Sequence, residues 1–374
     1  MKQFIYADNA ATTKLDPVAY EAMLPWLEEK YANASQPYSF SRSAKKALAE
    51  ARALIAECIN AVPEEIFFTS GGTESDNWAI KGSAFADFGH RAMITSQIEH
   101  HAVLRSCEAI ERLGYPVIYL PVNKDGTVLP EILERNITDN TRLVSVMLAN
   151  NEIGTIQPIN DLVRIAHKHG ALFHTDAVQA VGHIPIDVQD LGIDLLSASA
   201  HKFNGPKGIG FLYIRQGTSI VSFMDGGAQE NGLRAGTENV ASIVGMATAL
   251  KNNCDHIQEN IEHIRELENK LITSLSESRI QFIRNGGNAI LPGLLSLSFK
   301  DQSGESLLHR LDFKGVSVST GAACNGDNDV ISHVLHAIDL KEELALGTIR
   351  VSIGKQSHLE DIASIVQTLK NICK

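Results

Sequence analysis

A lysine in a glycine-containing turn is the residue of this chain best suited to covalent chemistry. Lys202 lies in residues 199–208, Ser-Ala-His-Lys-Phe-Asn-Gly-Pro-Lys-Gly, between two short apolar stretches. Because a protonated amine, with a pKa of about 10.4, is a poor nucleophile, a lysine that bonds an aldehyde is held in a partly desolvated turn. Ser199 and His201 add hydrogen-bond donors, and the glycines let the backbone approach a phosphate closely. The run favours a Schiff-base lysine over the commoner exposed loop lysine.

An aspartate at the end of an apolar stretch gives that lysine a partner. Residues 171–179 read Ala-Leu-Phe-His-Thr-Asp-Ala-Val-Gln, so Asp176 closes a predicted strand. A carboxylate there can pair with the protonated ring nitrogen of an aldehyde cofactor. An aspartate at a strand end is more often a cap or turn residue, but the order of Asp176 at one strand end and Lys202 after the next favours the cofactor.

The blocks around these residues resemble the fold-type I pyridoxal-phosphate enzymes, and within them the cysteine desulfurases of the NifS/IscS kind. The resemblance runs nearly from end to end. Its blocks are 6–13 (YADNAATT), 68–77 (FTSGGTESDN), 99–103 (EHHAV), 150–155 (NNEIGT) and 226–237 (GGAQENGLRAGT). The second block is a glycine turn that leads into a helix N-terminus, where free N–H groups and the helix dipole favour a phosphate.

The resemblance implies a role for each residue of the site. Those implied to hold pyridoxal 5′-phosphate are Gly72, Thr73, His100, Asn151, Asp176, Gln179, Ser199, His201, Lys202 and Thr237. Thr237 would come from a neighbouring subunit, which implies a homodimer. Those implied to contact the substrate are Ala11, Thr12, Asn151 and Arg350. The implied catalytic residues are Lys202, Cys324 and His100, and no metal ligand is expected; His101 is interpreted as a surface or capping residue.

One of the five cysteines stands in an unusual setting. Polar, glycine-containing sequence follows Cys324, which is typical of a solvated loop, whereas a free cysteine is usually a small buried hydrophobe. We interpret Cys58, Cys107 and Cys254, all in helical stretches, as such buried residues, and Cys373 near the end as incidental. The resemblance identifies Cys324 as the sulfur-accepting cysteine of the long-loop subtype.

Arg350 is the candidate for binding a carboxylate. It lies between Ile349 and Val351 in a predicted strand, so its side chain points to the opposite face from theirs. The planar guanidinium can hold a carboxylate with two parallel hydrogen bonds, whereas a surface ion pair, the alternative, would contribute little. The resemblance places the carboxylate-binding arginine of the family at this position.

Strand and helix patterns alternate along the 374 residues, which predicts an α/β fold whose mixed, mostly parallel sheet is covered by helices. Predicted strands lie at 66–69, 92–95, 117–120, 143–148, 171–175, 195–198 and 210–214. One long helical stretch is predicted over 240–275. We expect a large cofactor-binding domain over 16–255 and a smaller α+β C-terminal domain over 256–374, which the N-terminal segment 1–15 joins.

Composition limits the partners. A net charge of −11 argues against nucleic-acid binding, which needs a basic surface. No apolar run approaches the roughly 20 residues of a membrane helix, and the first motif begins at Tyr6, which leaves no room for a signal peptide. Five scattered cysteines form neither a disulfide nor a zinc framework. These features predict a cytoplasmic enzyme.

The resemblance implies a cysteine desulfurase that converts L-cysteine to L-alanine and passes sulfur, held as a persulfide on Cys324, to a protein acceptor. Iron–sulfur cluster assembly, tRNA thiolation, thiamin synthesis and DNA phosphorothioation all stay open. The alternatives are a selenocysteine lyase, a class V aminotransferase and a non-enzymatic sulfur-carrier scaffold. Some positions depart from the family pattern: residues 33–41 lack its usual histidine and glycine, and Ala228 and Ile331 replace a usual glycine and proline.

Overall fold

The computed structural model describes residues 4–87, 89–278, 280–320 and 331–373, so the predicted sulfur acceptor Cys324 lies outside the described residues. The strands are β1 Ile5–Tyr6, β2 Ile66–Thr69, β3 Ala92–Ser96, β4 Val117–Leu120, β5 Thr141–Ser145, β6 Leu172–Asp176, β7 Leu195–Ser199, β8 Gly210–Ile214, β9 Phe282–Asn285, β10 Leu294–Phe299, β11 Val316–Ser317 and β12 Thr348–Ser352. The helices are α1 Pro17–Glu28, α2 Arg42–Ile59, α3 Gly72–Asn77, α4 Ser83–Phe85, α5 His101–Glu111, α6 Pro130–Asn136, α7 Ile159–Lys168, α8 Val188–Leu191, α9 Val240–Asp255, α10 Ile257–Glu277, α11 Gly304–Phe313, α12 His333–Ala337, α13 Glu342–Ala345 and α14 Leu359–Ile372.

A mixed sheet forms the centre of the molecule. In the described part of the chain seven strands follow the order β2-β8-β7-β6-β5-β3-β4. Neighbours pair in parallel from β7 to β4, whereas β8 runs antiparallel to both β7 and β2. The predicted α/β fold with a mostly parallel sheet is therefore confirmed.

Helices cover both faces of this sheet. Successive strand residues point to opposite faces, so Met93 packs in one apolar cluster while its neighbour Ile94 packs in another. Every residue of β5, β7 and β8 is buried. Strands buried on both faces read as nearly continuous apolar runs, which is why the sequence pattern located them closely.

The C-terminal part has its own small sheet and core. β10 pairs with β9 and β12 in antiparallel fashion. Its apolar residues pack with those of α10, α11 and α14 in a cluster separate from the two around the central sheet. The N-terminal strand β1 pairs in parallel with β11, with Ile5 opposite Val316. These contacts agree with the predicted return of the N-terminal segment, and the domain limits at 16–255 and 256–374 stay a prediction.

Some sequence expectations need correction. The single helix predicted over 240–275 is wrong, because α9 ends at Asp255 and α10 begins at Ile257, with the backbone of His256 leaving helical geometry at φ −116° and ψ 18°. Cys58 and Cys254, predicted to be buried, are only partly buried, whereas Cys107 is buried as expected. No helix within the described ranges is long and apolar enough to cross a membrane.

Candidate active site

The carboxyl ends of the parallel strands open into one cavity of about 690 Å³. Such edges of α/β sheets are where ligands usually bind. The cavity is lined by twelve of the predicted site residues, namely Ala11, Thr12, Gly72, Thr73, His100, Asn151, Asp176, Gln179, Ser199, His201, Lys202 and Arg350. Thr237 of this chain instead lines a smaller neighbouring cavity with Ser70 and Gly208. Residues more than 300 positions apart in the chain thus meet at one place.

The lysine turn is held by the N-terminal segment. β7 ends at Ser199, and a short 3₁₀ turn carries Lys202. The Lys202 ammonium donates to the carbonyl oxygens of Ala10 at 2.6 Å and Ala11 at 2.8 Å. The Thr13 backbone N–H donates to the carbonyl of His201 at 2.9 Å. The reactive amine therefore has a fixed position beside backbone acceptors.

Asp176 lies at the carboxyl end of β6 and is buried. Its Oδ1 accepts from the Val178 N–H at 2.9 Å. Burial raises the pKa of Asp176, and the nearby His100 and Lys202 lower it. A buried carboxylate that faces a cavity calls for a positive partner there, and a protonated ring nitrogen would supply one.

A second buried carboxylate lies behind Asp176. Asp76 is 1% exposed, and its Oδ1 lies 3.7 Å from Nε2 of His174. Burial, followed by repulsion from Asp176, raises the pKa of Asp76 well above its usual range. His174 in turn is fixed between the hydroxyls of Ser145 at 2.8 Å and Ser197 at 3.0 Å. Burial lowers the pKa of His174 to about 3, so the ring is neutral.

His100 caps the N-terminus of α5. The Ala102 N–H donates to its Nδ1 at 3.1 Å, and burial lowers the pKa of His100. Because Nδ1 is an acceptor, the proton of the neutral ring is on Nε2. His101, interpreted from sequence as a surface or capping residue, also lines the cavity, and its ring centre lies 4.9 Å from that of His333. His101 is partly exposed at the first position of α5, so its interpretation as a surface or capping residue stays a prediction.

Arg350 points from β12 into the cavity, while Ile349 and Val351 are buried in the C-terminal core, as the alternation predicts. Its Nη1 donates to the Asn151 carbonyl at 2.9 Å and its Nη2 to Asp8 Oδ1 at 2.8 Å. Its Nε is buried and has no hydrogen-bond partner within the described part of the chain. An unpaired, buried N–H of a guanidinium is suited to an incoming carboxylate.

The glycine turn after β2 forms the opposite end of the cavity. Gly71 has φ +147°, which L side chains rarely adopt. A Cβ on Gly72 would lie 2.6 Å from Cγ2 of Val178. The turn leads into α3, and the Ser199 and His201 side chains lie beside it in the cavity. This arrangement of backbone N–H groups and polar side chains is suited to an anion.

Comparison with known proteins places this site in a family. The family model described as aminotransferase class-V matches residues 5–365. The chain belongs to the class-V aminotransferase family. A relative from Dictyoglomus turgidum named cysteine desulfurase IscS is 48% identical over 374 residues, covering 100% of this chain and 95% of the relative.

Solved structures agree with that assignment. One named NifS-like protein matches with a TM-score of 0.93 and 38% identity, over 99% of both chains. Another, named SspA in complex with cysteine, has a TM-score of 0.84 and 37% identity, over 95% of this chain and 100% of that one. Within its class the chain groups with the cysteine desulfurases of the NifS/IscS kind, so the resemblance found in the sequence blocks is confirmed.

The cofactor of this family is pyridoxal 5′-phosphate, and the residues present fit it. The glycine turn lines the cavity and begins α3, where backbone N–H groups without helical partners are suited to a phosphate. At the other end Asp176 is a buried carboxylate in need of a positive partner. Lys202 supplies the amine that an aldehyde requires, and it lines the same cavity.

Sequence reasoning missed several acidic residues that line the cavity, including Asp8, Asp76 and Glu152. Asp8 pairs with Arg350, Asp76 lies behind Asp176, and Glu152 accepts from the Ser332 hydroxyl at 2.5 Å. Burial raises the pKa of Glu152 to about 7, although Ser332 and Arg350 lower it. All three lie inside the family blocks quoted above, so their positions were marked in the sequence. Their partners are distant in the chain, and no local pattern indicated those contacts.

Proposed function

We propose that this protein acts as a cysteine desulfurase that converts L-cysteine to L-alanine and retains the sulfur as a persulfide on Cys324. One observation carries the proposal: Arg350, whose guanidinium is fixed by Asp8 and the Asn151 carbonyl, and Lys202 line the same cavity. A ligand that carries both a carboxylate and an amino group can therefore contact Arg350 and reach the Lys202 end of the cavity at the same time. The alternatives of a selenocysteine lyase and an aminotransferase are not favoured, because the named relative at 48% identity is a cysteine desulfurase.

Substrate binding follows from the contacts of Arg350. Asp8 and the Asn151 carbonyl fix the guanidinium plane through Nη2 and Nη1. The guanidinium is thereby held in place before the substrate carboxylate binds, which reduces the side-chain entropy lost on binding. Asn151, Ala11 and Thr12 complete this end of the cavity in the proposal.

When bound, pyridoxal phosphate supplies an electrophilic carbon that bonds amines and a ring that accepts the electron pair of a breaking Cα–H bond. The residues that would hold it are Gly72, Thr73, His100, Asn151, Asp176, Gln179, Ser199, His201 and Lys202, with Thr237 of a second copy. Asp176 would hold a proton on the ring nitrogen. The Lys202 amine is the proposed carrier of the substrate Cα proton, because its Nζ is fixed by the carbonyls of Ala10 and Ala11.

The sulfur step is proposed for Cys324. Its thiolate attacks the substrate sulfur, an S–S bond forms, the C–S bond of cysteine breaks, and the carbon receives a proton to give alanine. Thiol plus cysteine thus gives persulfide plus alanine, and no external oxidant is needed. A free thiol has a pKa of about 8.5 and needs help to ionise. His100 is the proposed proton relay. Because Nε2 of the neutral His100 ring already carries a proton, the ring must donate that proton before it can accept another.

A homodimer with shared sites is also proposed. Thr237 lies outside the main cavity of its own chain, which supports a role in the site of a partner. Large apolar side chains are exposed on α1 and on the segment between α1 and α2, as expected of a surface covered by another subunit. They are Val18, Tyr20, Leu27, Tyr31, Tyr38 and Phe40.

The sulfur acceptor is proposed to be a protein, and iron–sulfur cluster assembly is one of several pathways that such a donor could serve. A cytoplasmic location and the two-domain division at residue 255 are retained as predictions. Limited proteolysis between α9 and α10 and subcellular fractionation would test them directly.

The activity is tested by incubating the holoenzyme with L-cysteine and a thiol reductant. We expect alanine and sulfide in equal amounts. Lys202→Ala should abolish both, whereas Lys45→Ala, at an exposed position of α2, should change neither. An aminotransferase would instead require a keto acid and release no sulfide, and a selenocysteine lyase would leave L-cysteine unchanged.

A further inference from the structure

A buried carboxyl group lies next to the proposed carboxylate-binding arginine. Glu152 is 6% exposed and lines the same cavity as Arg350. Nη1 of Arg350 donates to the Asn151 carbonyl at 2.9 Å, and that carbonyl belongs to the peptide bond that leads to Glu152. The proposed site for the substrate carboxylate therefore has an acidic residue beside it.

A serine hydroxyl holds this carboxyl group in place. The Ser332 hydroxyl donates to Oε2 of Glu152 at 2.5 Å, and its oxygen accepts from the Val334 N–H at 3.1 Å as the N-cap of α12. The Glu152 N–H donates to Oδ1 of Asn150 at 2.9 Å. Oε2 can accept from the hydroxyl in the carboxylate, and also in the neutral acid when the other oxygen carries the proton. The position of Glu152 is thus compatible with both protonation states.

The charges around Arg350 favour the neutral state of Glu152 once a substrate is bound. Asp8 already pairs with Arg350 at 2.8 Å, and both side chains are largely buried. An ionised Glu152 is a second carboxylate beside one guanidinium, and the substrate carboxylate is a third. Like charges in a partly desolvated space disfavour ionisation. Burial already raises the pKa of Glu152 to about 7, so near neutral pH a small further rise adds a proton.

Other titratable groups face the same cavity from the N-terminal segment, the start of α5, the lysine turn, the start of α12 and β12. They are Asp8, His100, His101, Lys202, His333 and Arg350. Nε2 of His333 donates to the Glu99 carbonyl at 3.0 Å. Burial lowers the pKa of His333 and of His100, so both rings are neutral near pH 7. Arg350, already paired with Asp8, is therefore the positive group for which Glu152 and a substrate carboxylate compete.

We propose that Glu152 controls substrate binding by taking up a proton from the solvent when an amino-acid carboxylate reaches Arg350. Neutral Glu152 leaves the charge of the guanidinium to the substrate, whereas ionised Glu152 competes with the substrate for that charge. Substrate binding therefore weakens as pH rises through the pKa of Glu152, about 7 in the unliganded protein. This inference rests on the proposed function, because it takes Arg350 as the residue that binds the substrate carboxylate.

The test measures the Kd of L-alanine, the proposed product, by titrating the holoenzyme at pH 6 and pH 8 and following the cofactor absorbance. Glu152→Gln, which resembles the neutral acid, should bind L-alanine like the wild type at pH 6 and about tenfold more tightly than the wild type at pH 8. One pH unit above its pKa, about a tenth of Glu152 is neutral, and the apparent affinity scales with that fraction. Titrations that both proteins share cancel in the ratio of their Kd values.

Two further variants make the test specific. Glu131→Gln, at an exposed position of α6, should match the wild type at both pH values. Ser332→Ala removes a hydrogen-bond donor that stabilises ionised Glu152, so the pKa of Glu152 rises and the weakening of L-alanine binding should begin at a higher pH than in the wild type.

The inference is overturned if the ratio of the Kd values of wild type and Glu152→Gln is the same at pH 6 and pH 8, or if Glu152→Gln binds L-alanine more weakly than the wild type at pH 8. Arg350→Ala identifies a failure at the earlier step. If that variant binds L-alanine as tightly as the wild type at pH 6, the proposed substrate site is wrong, and the role of Glu152 falls with it.

Discussion

At the scale of single residues, Arg350 shows how the surroundings prepare one side chain for binding. Its plane is fixed by Asp8 and by the Asn151 carbonyl, and its Nε has no hydrogen-bond partner among the described residues. The alternation of Ile349, Arg350 and Val351 predicted the direction of the side chain. The partner Asp8 was not predicted, because the pair joins residues 342 positions apart and no local pattern encodes such a contact.

Arg350→Ala should raise the KM for L-cysteine with a smaller effect on cofactor binding. A lost charge-assisted contact of roughly 1.5 to 3 kcal/mol corresponds to about a tenfold to hundredfold change. Steady-state kinetics of alanine formation would measure it. Arg164→Ala, which removes an exposed arginine of α7, is the control; equal KM values in the two variants would exclude Arg350 as the carboxylate-binding residue.

His174→Gln should alter the acid sensitivity of the fold. In the native state burial lowers the pKa of His174 to about 3, whereas an unfolded histidine titrates near a pKa of about 6.5. As pH falls from about 6.5 to about 3, the unfolded state gains a proton that the folded state does not. The free energy of unfolding therefore decreases by up to about 1.4 kcal/mol per pH unit.

Urea unfolding at a series of pH values would measure this slope. His174→Gln should have a shallower acid dependence than the wild type over that window. His309→Gln, at an exposed position of α11, should keep the wild-type slope. Parallel curves for wild type and His174→Gln would contradict the buried neutral histidine.

At the scale of elements, strands were easier to predict than helix limits. β2, β4 and β8 begin and end where the apolar runs predicted. For β2 and β8, which are buried along their whole length, nearly every position must be apolar, and this makes the strand limits easy to locate. The break between α9 and α10 was missed. The polar residues there serve tertiary contacts: Asn253 donates to the Phe203 carbonyl at 3.1 Å and Asn252 to Asp16 at 2.9 Å.

The glycine turn gives a prediction at this scale. Gly72→Ala should weaken pyridoxal phosphate binding, because the new methyl group would lie 2.6 Å from Cγ2 of Val178, whose N–H donates to Asp176. An overpacking cost of about 1 to 3 kcal/mol corresponds to roughly a fivefold to hundredfold loss of affinity. Equilibrium titration of the apoenzyme with the cofactor measures it. Gly89→Ala, whose Cβ meets no atom closer than 3.8 Å, is the matched control. Equal cofactor affinity in both variants would show that the turn tolerates a side chain.

At the scale of the whole molecule, the site depends on residues from both ends of the chain and, in our proposal, from a second chain. The sequence predicted twelve of the lining residues, and those around Asp176 and Lys202 were found because they follow the ends of β6 and β7. The role proposed for Thr237 rests on the family resemblance, since a contact between subunits would leave no periodic signal in the sequence.

Mixing two inactive variants tests the shared site. A dimer of one Lys202→Ala chain and one Thr237→Ala chain should contain one intact site, because the remaining lysine and threonine come from different subunits. Alanine formation should therefore return on mixing. Lys202→Ala mixed with Asp176→Ala is the control. It should stay inactive, because the Lys202 and Asp176 of any one site come from the same chain, so each site of the mixed dimer lacks one of them. Recovery in neither mixture would contradict the exchange of Thr237.

The central claim is that Lys202 and the cavity activate cysteine while Cys324 takes its sulfur. The most direct measurement compares wild type with Cys324→Ala for cofactor absorbance, spectral change on adding L-cysteine, and alanine release. We predict that the variant binds cofactor and responds to L-cysteine spectrally, but forms neither alanine nor persulfide at a useful rate. Cys373→Ala is the control and should match the wild type. Full alanine production by Cys324→Ala would contradict the account.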